Sequence, residues 1–82
     1  MCTHVTQRVR LRGSAKAGGE WTPLGTASVY VDHPYATPLE HTLNIDVFPD
    51  GHDRSRHVAL ELSLESAEDL LNALAQALDG AR

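Results

Sequence analysis

The sequence predicts an α+β domain: a four-stranded, mostly antiparallel sheet in the order β-β-β-β-α, with one C-terminal helix packed on one face. Three observations lead there. Apolar and polar residues alternate along separate stretches of the chain, which is the period of a half-buried strand. Clusters of Pro and Gly separate those stretches, where ladder pairing has to stop. After Ser63 the apolar spacing changes from two to three and four, the mark of one helical face.

The first strand covers about residues 3–12, with Val5, Gln7, Val9 and Leu11 on one face and Thr6, Arg8, Arg10 and Arg12 on the other. Residues 13–19 are small and Gly-rich and read as a loop. Trp21 is expected to fold back as an apolar lid over a sheet edge. The second strand covers about 26–33, with Ala27, Val29 and Val31 inward; Pro34 and Pro38 bracket the next connection. The third covers about 39–48, with Leu43, Ile45 and Val47 inward, and Pro49-Asp50-Gly51 has turn chemistry. The fourth covers about 56–62, with Val58, Leu60 and Leu62 inward. A helix over about 64–79 follows, with Ser63 as N-cap, Glu65 in the first turn, and Gly80 as the expected stop. Its apolar face is Ala67, Leu70, Leu71, Leu74, Ala77 and Leu78, and it should lie across the inner face of the sheet.

Size and composition bound the function. A chain of 82 residues makes a single domain over 1–82. So short a chain buries only about 60–65% of its unfolded surface, so a homodimer is the expected remedy. A net charge of −4 argues against nucleic acid or an anionic membrane as partner. One cysteine rules out an internal disulfide and suits a cytoplasmic location, and no apolar run is long enough to span a membrane.

Register turns this pattern into a place to look. Pairing Val31 with Leu43, Val29 with Ile45 and Ala27 with Val47 keeps every apolar side chain on one face. Val47–Val58, Ile45–Leu60 and Leu43–Leu62 continue it. The same register sets His33 opposite His41 at the lip between the second and third strands. An antiparallel first strand would bring Cys2 and His4 toward that lip. Imidazole and thiolate donors suit a transition metal, Zn first and Ni or Cu after it. Cys2, His4, His33 and His41 are therefore the candidate metal ligands, with Asp32 and Glu40 as partners that orient an imidazole. Trp21 and Tyr35 are the candidate pocket walls. The competing reading is that His33 and His41 are ordinary strand-end residues bonded to loop carbonyls.

Other chemistry is sparser. Removal of Met1 would expose Cys-Thr-His, a nucleophilic terminus and a square-planar site for Cu²⁺ or Ni²⁺. His33 and His41 would also serve as catalytic acid and base on a small molecule. Arg8, Arg10, Arg12 and Lys16 form a cationic edge that either meets an acidic partner or a phosphate, or protects an exposed strand from aggregation. The polar outer face carries Tyr30 and Phe48 and is a candidate dimer surface or ligand floor.

The pieces MCTH, GSAK, YVDHP, EHTLNID and RHVALELSLESAEDL resemble a small actinobacterial family of unknown function, over nearly the whole chain. That resemblance implies a compact single domain and assigns no catalytic residue. The leading expectation is a small binding or accessory domain with a His-lined metal or small-ligand site. A minimal isomerase, cyclase or lyase is the alternative, and a structural dimerisation or interaction module is the third reading.

Overall fold

A computed structural model describes residues 6–35, 38–51 and 57–82. The expected strand residues 3–5 and 56, and residues 36 and 37 of the Pro-bracketed connection, lie outside the described residues, as do Cys2 and His4. The chain runs β1 (Gln7–Arg10), β2 (Ser14–Ala17), β3 (Glu20–Asp32), β4 (Thr42–Pro49), β5 (Val58–Leu62) and α1 (Leu64–Ala81). Antiparallel strands followed by one C-terminal helix make an α+β fold.

The sheet order is β1-β3-β4-β5, with β2 pairing beside β1 on the same edge of β3. Every expected apolar pair forms: Val31–Leu43, Val29–Ile45 and Ala27–Val47 between β3 and β4, then Val47–Val58, Ile45–Leu60 and Leu43–Leu62 between β4 and β5. A one-residue slip would have turned each apolar set to the opposite face.

The Gly-rich stretch is a correction. Ser14–Ala17 is a strand paired with Glu20–Pro23, and Gly18 and Gly19, at φ 63° and 83°, form the two-residue turn between them. Two positive φ values in succession are the geometry that matches strand twist, and glycine adopts it without strain. The hairpin lengthens β3 to 13 residues. It also overturns the lid expected of Trp21, which pairs with Lys16 in the ladder and is 67% exposed. Between the β1 and β2 segments the edge turns a corner. Leu11 donates to the Gly25 carbonyl and Leu24 to that of Gly13, each at 2.9 Å. The β3–β4 register shifts there, between Leu24 and Thr26.

Ser63 caps α1 as expected, its Oγ accepting the Ser66 N–H at 3.0 Å. Gly80 does not stop the helix, which continues to Ala81; the φ of Gly80 is not positive, so no left-handed cap forms. The larger difference is packing. The helix was expected across the inner sheet face, yet Ala67 alone in α1 is half-buried and every residue from Glu68 onward is exposed. Only Ser63 separates the last residue of β5 from the first of α1. Strand-to-helix connections generally use two to six residues, and a single one cannot swing the helix back over the sheet.

Coverage of the apolar residues is correspondingly thin. Ala27, 4% exposed, is the one buried apolar side chain among the described residues. The accessible surface of 6487 Å² exceeds the roughly 4,800 Å² of a compact monomer of this mass. Leu64, Leu70, Leu71, Leu74 and Leu78 are 39–63% exposed, together the surface of between two and three whole leucines. Covering them would contribute roughly 4–8 kcal/mol per chain.

Candidate functional site

Outward-facing residues form a grid fixed by the register. One row runs Arg8 (β1), Ser28 (β3), Asp46 (β4). The next holds Tyr30 opposite Asn44, which lies opposite Glu61. Residues 42, 44, 46 and 48 of β4 share this face because strand side chains alternate.

A chain of hydrogen bonds crosses the grid. Thr42 Oγ1 donates to Asn44 Oδ1 at 2.7 Å, and Tyr30 Oη donates to Asp46 Oδ2 at 2.8 Å. The other Asp46 oxygen lies 3.2 Å from His57 Nε2. A carboxylate only accepts, so Nε2 carries the proton in that contact. The His57 ring stacks on Phe48 with centroids 4.6 Å apart and 11° between planes. The bond to Asp46 and then burial raise the Tyr30 phenol above its ordinary 10.0; a bond from Asn44 opposes them, and the charges of Asp46 and Asp32 add to the rise.

Burial on this face has a definite cause. Thr42 is 0% and Asn44 7% exposed. The Tyr35 backbone N–H, three residues beyond the end of β3, donates to Glu61 Oε2 on β5. To make that bond the chain must pass over the start of β4, so it covers Thr42 and Asn44. Their polar atoms leave none unsatisfied: among the described residues no buried side-chain nitrogen or oxygen lacks a partner.

Beside the covered part lies a concavity of about 610 Å³, lined by Thr6, Arg8, Thr26, Ser28, Tyr30, Asp32, Asp46, Phe48 and Pro49. Arg8 and Asp46 stand two strand spacings apart, about 10 Å, with small Ser28 between them. A cationic wall therefore faces an anionic one across a floor of hydroxyls. Arg8 has no ion pair or hydrogen-bond partner among the described residues.

The residues expected at the lip are placed as follows. The rings of His33 and His41 lie 4.8 Å apart between centroids, tilted by 30°. His33 Nδ1 is 3.0 Å from the Glu40 backbone carbonyl, so Nδ1 carries the proton and the Nε2 of a neutral ring holds a free lone pair. Asp32 Oδ1 accepts the backbone N–H of His33 at 2.7 Å, so this contact orients the chain rather than the imidazole. Both features of the two competing readings are thus present: the rings are neighbours, and one is bonded to a loop carbonyl. Among the described residues no group of three or more His, Cys, Asp or Glu is arranged to hold a metal. The pair supplies two nitrogen ligands where zinc takes three or four protein ligands. Cys2 and His4, the other candidate ligands, are outside the described residues. Tyr35 is fully exposed and Trp21 two-thirds exposed, and neither lines the concavity, because one projects from the crossing segment and the other from the edge hairpin.

The Tyr30–Asp46–His57 cluster escaped the sequence reading. A signal existed: pairing Val47 with Val58 sets His57 opposite Phe48 and diagonal to Asp46.

A family model described as a family of unknown function (DUF6295) matches residues 1–82. Neither a curated protein nor a solved structure matches the chain.

Proposed function

The chain belongs to DUF6295, a family of unknown function, and from its own residues we propose that it is a small cytoplasmic binding domain. Its ligand is a compact molecule bearing both a carboxylate and an amine, held on the polar face of the sheet. The Arg8–Ser28–Asp46 row carries this reading. A guanidinium offers the planar pair of donors that suits a carboxylate. Asp46, oriented from both sides by Tyr30 and His57, suits an ammonium group. The stacked Phe48–His57 pair supplies a flat wall for the aliphatic part. A cytoplasmic setting rests on the lone cysteine, and actinobacterial origin on the motif resemblance.

Backbone amide NMR of the protein titrated with glycine, with acetate and with methylamine tests this. Glycine should shift the amides of Arg8, Ser28 and Asp46 at lower concentration than either half-molecule. Arg8→Ala and Asp46→Asn should each weaken glycine binding at least about tenfold, the cost of one charge-assisted contact. No movement of these amides with any of the three probes refutes the reading.

The adjacency of His33 and His41 favours a second reading, in which the two rings provide part of a transition-metal site, Zn before Ni or Cu. Elemental analysis of untagged protein beside the His33→Ala/His41→Ala double variant tests it. Near-stoichiometric metal that disappears in the variant is the expected result; equal metal in both, or none in either, removes this reading.

A further inference from the structure

We propose that α1 pairs antiparallel with α1 of a second copy of this chain, making a two-fold dimer along the leucine stripe. The inference is independent of the ligand reading, since no residue lining the concavity belongs to α1.

The stripe has the spacing of a helix-pairing seam. Leu64, Ala67, Leu71, Leu74, Leu78 and Ala81 follow one another at intervals of three, four, three, four and three. That is a heptad repeat with every a and d position apolar, the pattern along which helices pair. The four leucines among these six are 52–63% exposed. Most helical stability in proteins comes from packing an amphipathic face rather than from propensity, so the uncovered stripe of this 18-residue helix calls for a partner.

Side-chain volume and charge select a second copy, and its orientation. With two helices antiparallel about their shared midpoint, Leu64 meets Ala81, Ala67 meets Leu78 and Leu71 meets Leu74 in each successive layer. Every alanine then faces a leucine, and the full helix length is used. In a parallel pair, Ala67 and Ala81 would face their own copies and leave gaps. Glu65, Glu68 and Asp69 all lie toward the N-terminal end of α1. Parallel packing would crowd six carboxylates at one end, whereas antiparallel packing brings Glu68 and Asp69 level with the uncharged Ala77 and Gln76 of the other helix and Glu65 level with Gly80, between Asp79 and Arg82. It also sends the two sheets to opposite ends of the pair, so they do not compete for space.

Sedimentation equilibrium of the full chain across the micromolar range should give twice the monomer mass of 8.9 kDa. Leu74→Glu should weaken association at least 100-fold, and Leu78→Glu, nearer the free end of the helix, should do the same. Circular dichroism of each variant should match the wild type in strand and helix content. A monomer at every concentration, a larger assembly, or a dimer indifferent to both variants overturns the proposal. Orientation is read from spin-label distances in a Cys2→Ser background. Labels at Glu65→Cys should be separated by about 20 Å along the helix axis and those at Asn72→Cys by almost none. Equal distances at the two positions overturn the antiparallel arrangement.

Discussion

Replacing Tyr30 with Phe removes one hydroxyl and nothing else from the outer face. The lost bond is a 2.8 Å contact to a carboxylate, a class worth about 1.5–3 kcal/mol when well shielded. Asp46 keeps 18% of its side-chain surface in water, so solvent recovers part of that, and a loss of about 1–2 kcal/mol is expected. For a chain of this size the melting temperature should fall by roughly 4–16 °C. Protein concentration must be held constant, because a dimer melts at a concentration-dependent temperature. A second effect separates this bond from general packing. The folded-state pKa of Tyr30 lies above the unfolded 10.0, so the unfolded chain releases its phenolic proton first. The associated stability is fully present below pH 10 and is lost as pH rises from 10 through the folded value. Urea titrations at pH 8 to 12 should therefore show a steeper alkaline decline in the wild type than in Tyr30→Phe. The difference in tyrosinate absorbance between the two proteins isolates the titration of Tyr30. Identical midpoints below pH 10, or identical alkaline slopes, would refute the claim that Asp46 holds this phenol.

Three further perturbations follow from single contacts. Thr42→Val keeps the shape of a fully buried side chain but removes the donor to Asn44 Oδ1, so chemical denaturation should show a loss of about 1–3 kcal/mol. Gly25→Ala would place a Cβ 3.2 Å from the backbone oxygens of Phe48 and Pro49 and 3.3 Å from Asp50 Cα. Backbone yields less easily than a flexible side chain, and a loss of about 1–2 kcal/mol in the same assay is expected. Ser63→Ala deletes the α1 N-cap bond to Ser66 and should cost about 1 kcal/mol, seen as reduced helical ellipticity at 222 nm on heating.

Much of the sheet was legible because its information is local and binary. Ala27, Val29 and Val31 alternate with polar residues, as do Leu43, Ile45 and Val47, and one register satisfies both sets. The same reasoning brought His33 beside His41. The β2 hairpin was less visible, since the alternation in Ser14–Ala17 rests on two small alanines, Ala15 and Ala17, and its pairing rests on the conformation of Gly18 and Gly19. The Tyr30–Asp46–His57 cluster was recoverable only by extending the β4–β5 register one row beyond its last apolar pair. Each of its members looks like an ordinary surface residue until three strands are set side by side.

Four of the five strands, the pairing of β3, β4 and β5, and an amphipathic helix begun by Ser63 were legible along the chain, but the Ser14–Ala17 strand was not. Apolar periodicity and capping chemistry are carried by residues close along the chain, and they survive without knowledge of anything distant. The tertiary structure alone decided where the helix goes and which face of the sheet is covered. One residue between β5 and α1 directs the helix away from the sheet, while the segment crossing from β3 to Glu61 buries Thr42 and Asn44 on the polar side. Those outcomes depend on the length and direction of connections in space, which no periodicity encodes.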